Sequence, residues 1–186
     1  MKRILTVIFL ICATVSFGQS LNNNWKQDLT KELELMKACD DSPTTGVSPC
    51  NKFMGEALKT VYKVDDFYSK NLGRYMLTAE IAAFLKNSNK WTLLGHGYEQ
   101  KALNEAQNYA NNKKAAIAIY VNEEGLGHVA IIAPGDLRLS GTWGFQVPNS
   151  VSFFPADKGK SYINKSLSYA FAGNQIRGVL IYGRNY

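Results

Sequence analysis

Two side chains, Cys50 and His128, combine residue type and setting in a way that suits covalent chemistry. Ser48-Pro49 stands directly before Cys50, and serine is a good helix N-cap while proline is favoured at the first helical position. Phe53, Met54, Ala57, Leu58 and Val61 then recur at helical spacing, so Cys50 is expected in the first turn of a helix that buries one face. The unpaired N–H groups and positive dipole end at such a start favour a thiolate over a thiol. Farther along, Gly127-His128-Val129-Ala130-Ile131-Ile132 sets an imidazole at the mouth of a short apolar strand. A thiolate attacks a carbonyl, and an imidazole within hydrogen-bond reach takes and later returns the proton. The N–H groups at the helix start would also serve the tetrahedral oxyanion. The pair reads as the two halves of a thiol hydrolase, with Cys50 the nucleophile and His128 the general base. Gly127 either lets a substrate backbone come close or ends the turn.

The compartment bears on that thiol. Lys2-Arg3 is followed by an apolar run over 4–17, then Ser16-Phe17-Gly18 before Gln19-Ser20, the pattern of a secretory signal peptide over residues 1–18. The 14-residue run is shorter than the roughly 20 residues of a membrane span. A lipoprotein reading would acylate Cys12, but Ile11 stands where a small residue is wanted. The remainder, 19–186, reads as a single domain, secreted or periplasmic, with no integral membrane span. Export leaves Cys39 and Cys50 in an oxidising compartment. They can form a disulfide that closes a short loop, or a redox-regulated pair in which Cys39 is the occasional partner. The spacings lack any short Cys-x-x-Cys or His-x-x-x-His pair, which argues against a zinc site, and no cofactor is expected.

The elements that must hold this pair follow from hydrophobic periodicity. Trp25, Leu29, Leu33 and Met36 mark an amphipathic helix, and the turn residues of 40–46 lead to the Cys50 helix. Phe67, Tyr68 and Tyr75 either line a groove or fill the core. Thr78 is expected to cap a third helix with Ile81, Ala82 and Leu85 on one face, and 99–112 reads as a fourth, with Ala102, Ala106, Tyr109 and Ala110 inward. Residues 91–95 are strand or turn. Strands are expected at 115–121 and 129–133, a third at 137–147 after the turn at Pro134-Gly135-Asp136, and a last at 176–182 closing the sheet. Helices first and an antiparallel sheet afterwards make an α+β domain, with the three central strands as a meander.

Pro49-Cys50-Asn51-Lys52-Phe53 at a helix start, Gly127-His128-Val129-Ala130-Ile131-Ile132 on a strand, and the order Cys before His resemble the papain-like cysteine peptidases and amidases of bacterial cell walls, the NlpC and CHAP-type group. The resemblance spans 50–147, and more weakly 148–186. It implies a papain-like fold and cleavage of an amide in the peptide part of peptidoglycan, with the stem peptide as partner. It carries over Cys50 as nucleophile and His128 as base. The group's third, orienting residue is a polar one on the strand after the histidine. If the hairpin turns at Pro134-Gly135-Asp136, Ser140 and Thr142 lie opposite His128 on one face, with Gln146 farther along. Ser140 is the choice. Asp136 has suitable chemistry but falls in the turn, and a backbone carbonyl or water is the remaining alternative.

Other polar and aromatic residues have ordinary readings beside functional ones. His96, between Gly95 and Gly97, is an exposed loop histidine or, on a different fold, the base. Trp91 and Trp143 stack on substrate or are buried, and Ser48 is a cap. Loss of Lys2 and Arg3, with no acid in residues 1–18, takes the formal charge from +6 to +4. That surplus suits an anionic wall or membrane surface, or simply solubility. The cations are scattered, which argues against nucleic acid. Two alternatives to a wall hydrolase remain. One is a non-catalytic envelope-binding module with a Cys39–Cys50 disulfide, the other a general cysteine protease.

Overall fold

The computed structural model describes residues 21–42 and 46–186; the expected signal peptide and Cys12 lie outside the described residues. The first helix, α1 (Trp25–Ala38), buries Trp25, Leu29 and Met36, the spacing that marked it in the sequence. A single 3-10 turn, Pro49–Asn51, leads into α2 (Lys52–Tyr62), whose Phe53, Ala57, Leu58, Val61 and Tyr62 are buried. Each large side chain removed from water in this way contributes roughly 1.5–3 kcal/mol. A two-residue hairpin follows, β1 (Tyr68–Ser69) with β2 (Arg74–Tyr75), and then α3 (Thr78–Asn87). The cap of α3 differs from expectation. Leu77 occupies the cap position, and its N–H donates to the Glu80 carboxylate at 2.7 Å, so Thr78 is already helical.

The strands β3 (Trp91–His96), β4 (Ala116–Val121) and β5 (Gly127–Ile132) surround α4 (Gln100–Asn111) in chain order. Next come β6 (Arg138–Leu139), β7 (Gln146–Val147), β8 (Asn149–Ser152), β9 (Tyr162–Ser166) and β10 (Leu180–Arg184). Six of the strands form an antiparallel sheet in the order β3-β10-β4-β5-β8-β9. The fold is α+β, with N-terminal helices followed by an antiparallel sheet that contacts them. Successive residues of a strand face opposite sides, yet Ala116 to Ile119 and Val129 to Ile132 are all buried. Both faces of the sheet centre are therefore covered, which is why these strands appear as unbroken apolar runs. Helix α2 packs on β5, α3 on β4 and β5, and α4 on β3, β10 and β4. The Tyr62 hydroxyl donates to the Ile132 carbonyl at 2.6 Å and pins α2 to β5 from within the core.

Two expectations about the sheet are corrected. The stretch 137–147 is not its third central strand. Ala133 N–H donates to Asn149 O at 2.9 Å, and the Asn149 side-chain amide donates to Pro134 O at 3.0 Å. These bonds close the neck of an excursion whose only strands are the β6–β7 hairpin, and β8 takes the place beside β5. The last strand, in turn, does not lie at an edge. It is inserted between β3 and β4, so the chain's final strand holds the sheet's first two together. Among the described residues no helix is long and apolar enough to cross a membrane.

Candidate active site

Ser48 builds the entrance to the Cys50 turn. Its hydroxyl accepts the Cys50 N–H at 3.1 Å and donates to the Asp41 carboxylate, fixing the loop against the helix start. Cys50 itself is fully buried and joined to Cys39 in a disulfide. In this form there is no thiol to ionise. Cys39, at the C-terminal cap of α1, is only partly buried. Disulfides of this kind form and persist in oxidising compartments.

His128 stands at the start of β5, level with Tyr120 of β4. On its other side β8 pairs Ile131 with Val151 and Ile132 with Ser150, a register that brings the residues just past β8 alongside His128. The Phe154 ring accordingly stacks on the imidazole, 3.9 Å between centroids and 7° between planes. Phe171 meets it edge-on at 5.7 Å. Nε2 lies 2.5 Å from Ser152 Oγ, and among the described residues Nδ1 makes no hydrogen bond. Burial among these rings lowers the His128 pKa from 6.5 to about 4, so the ring is neutral at physiological pH.

One cavity of about 500 Å3 lies between the Cys50 turn and the His128 strand; His128 lines it, and Cys50 itself does not. Ser48, Asn51 and Met54 bound it from the Cys50 turn and α2, and Gly127, His128 and Val129 bound it from β5. Its walls are mainly apolar, with Asp41, Asp157 and Lys160 at polar positions; Asp157 and Lys160 pair at 2.8 Å. A second cavity of about 380 Å3 shares Ser48 and Asn51 with the first, so open space flanks the Cys50 turn on both sides. Tyr68 and Tyr75 line this second space, whereas Phe67 is core.

The remaining candidates fall elsewhere. Ser140 is buried in the tight turn of the β6–β7 hairpin, where its hydroxyl bonds Thr142 Oγ1 at 3.1 Å and accepts the Trp143 N–H at 3.2 Å. It lines a different cavity from His128 and holds the turn, and Thr142 lines that same cavity. The hydroxyl that meets His128 belongs to Ser152, on the strand that replaced 137–147. A sequence signal for it existed, since Ser150 and Ser152 alternate through an otherwise apolar stretch and both are buried. His96 ends β3 rather than standing in a loop. Its ring stacks on Tyr98 and its backbone N–H donates to the Glu99 carboxylate at 2.7 Å. Trp91 and Trp143 are buried. Among the described residues no three His, Cys, Asp or Glu side chains are grouped to hold a metal ion.

No protein-family model matches the chain, and no curated protein compared with it matches significantly. The likeness to cell-wall peptidases rests on the Cys50 and His128 motifs alone.

Proposed function

We propose that the chain is an exported cysteine hydrolase of papain-like layout that cleaves an amide in the peptide part of peptidoglycan once the Cys39–Cys50 disulfide is reduced. The observation that carries this reading is the shared cavity. The turn that bears Cys50 and the strand that bears His128 bound the same 500 Å3 space. In the reduced protein Cys50 at its helix start attacks the amide carbonyl as a thiolate. His128 takes the Cys50 thiol proton and returns it to the leaving amine, and water then releases the acyl group from the Cys50 thioester. Ser152 at Nε2 positions the ring and leaves Nδ1 for proton transfer, because the bond at one ring nitrogen decides what the other does. Wall peptide is assigned by the resemblance of the two motifs. The mild positive charge agrees with an anionic wall.

One observation favours a second reading, a non-catalytic envelope-binding module. Cys50 is bridged and without exposure. Digestion of purified wall sacculi, with mass spectrometry of the soluble fragments, separates the two. Reduced wild-type protein is expected to release stem-peptide fragments, while Cys50→Ala and His128→Ala, folded by circular dichroism, release none. Sacculus binding without fragments from the reduced protein would establish the module instead. Casein cleavage by the reduced protein, with sacculi left intact, would identify a general protease.

A further inference from the structure

The two sulfurs of the disulfide are not equivalent. Cys50 is fully buried beneath the start of α2, whereas Cys39, at the end of α1, is partly exposed. Thiol–disulfide exchange proceeds by attack of a thiolate on one sulfur with departure of the other, so access decides which cysteine is attacked and which is released. The Lys158 ammonium donates to the Cys39 carbonyl, placing a cation beside the exposed sulfur's own residue. Asp40, next in the chain, sets a carboxylate near the same ammonium, so access rather than charge decides between the two sulfurs. On the other side, Cys50 leaves into the first turn of a helix, where a thiolate is stabilised, and a better-stabilised thiolate leaves faster.

We infer that Cys39 is a thiol-exchange site, at which an external dithiol reductant forms its mixed disulfide and from which Cys50 is released as the leaving thiolate. The incoming thiolate bonds to Cys39 Sγ, the bond between Cys39 Sγ and Cys50 Sγ breaks, and its electron pair departs on Cys50 Sγ. The second thiol of the reductant, losing its proton to solvent, then attacks the mixed disulfide. Cys39 leaves as a thiolate that takes up a proton, and the reductant departs oxidised. Two electrons have passed from the dithiol to the protein. A single equivalent of a monothiol gives the first stage alone, with Cys39 capped and Cys50 free, and a second equivalent is needed to release Cys39. The consequence for catalysis rests on the hydrolase reading, but the exchange step does not.

Brief exposure of the oxidised protein to glutathione, acid quenching, alkylation with iodoacetamide in denaturant and peptide mapping tests the site. The glutathione adduct is expected on Cys39 and the alkyl group on Cys50, with at least tenfold preference over the reverse. An adduct mainly on Cys50, or shared equally, overturns the inference, as does a purified protein whose intact mass shows both thiols free. Cys39→Ser supplies a second arm. Its buried Cys50 is expected to react with oxidised glutathione in the folded protein at least tenfold more slowly than Cys39 does in Cys50→Ser, the circular dichroism of both matching wild type, and equal rates also overturn the inference. Neither arm uses a wall substrate. Correct mapping with no fragments released from sacculi would therefore refute the hydrolase and leave the exchange site standing.

Discussion

His128 illustrates how one environment sets both a charge state and a contribution to stability. Phe154 and Phe171 surround the ring, and burial takes its pKa from 6.5 to about 4. The folded state thus prefers the neutral ring, and the unfolded chain binds the proton more readily. For a histidine with a depressed folded value, the stabilisation is fully present above about 6.5 and is lost as pH falls from there to about 4. The ceiling is about 3.5 kcal/mol, at roughly 1.4 kcal/mol per pKa unit. Urea unfolding at pH 7 and pH 4.5 is expected to show a steeper loss for wild type than for His128→Gln, which has no ring to protonate. Equal losses in the two proteins would mean that the ring is solvated and titrates normally. Ser152 matters at this same scale. Its hydroxyl is buried and its partner is Nε2, so the sequence's serine-alternating strand, rather than Ser140, supplies the residue that fixes the ring.

At the scale of elements, the β4–β5 hairpin decides where His128 stands. A Cβ on Gly127 would lie 2.0 Å from the Tyr120 carbonyl oxygen, so the neighbouring strand, not substrate, makes the close approach that requires glycine here. Gly127→Ala must push β5 away from β4 at the imidazole. The expected cost is about 1–3 kcal/mol, with a drop in hydrolysis by the reduced protein that exceeds the unfolded fraction. Urea titration beside a fragment-release assay checks it; an unchanged midpoint would mean that the hairpin end yields freely. Much of this level was legible in the sequence. The helical stripe of Trp25, Leu29 and Met36, the Ser48-Pro49 start, and the apolar runs of β4 and β5 each mark an element through local chemistry. The stretch after β5 was not legible. Pro134-Gly135-Asp136 has the composition of a tight hairpin turn, whereas the bonds that close the excursion involve Ala133 and Asn149 across it. A short polar strand, Asn149–Ser152, was thus hidden behind a longer and more apolar stretch that pairs only with itself.

Across the whole molecule, the placement of β10 between β3 and β4 is a nonlocal event that no periodicity announces, and one buried carboxylate ties it down. Asp66, between α2 and β1, accepts from Arg184 Nε of β10 at 2.7 Å and from Trp91 Nε1 of β3 at 3.1 Å. Lys90 stands 3.6 Å away. Burial raises the Asp66 pKa, but Arg184, Lys90 and the Trp91 N–H together more than offset it and hold the carboxyl below its usual range. A depressed carboxylate stabilises the fold above its unfolded value of about 3.8 and loses that contribution as pH falls through the lower folded value. Asp66→Asn leaves the Arg184 guanidinium, 19% exposed, without its counter-charge. The expected cost is about 2–4 kcal/mol, because an uncompensated partly buried charge is worse than no charge at all. The double variant Asp66→Asn with Arg184→Met should recover at least half of that loss, since it removes the stranded cation as well. Within the sheet, β10 and β4 separate the Asp66 tie from the His128 strand, so on the proposed hydrolase reading the pH dependence of hydrolysis by the folded, reduced single variant should match wild type while its unfolding midpoint falls. A displaced pH profile would instead mean that the tie reaches the imidazole, and that the sheet's order sets the ring's protonation as well as its position.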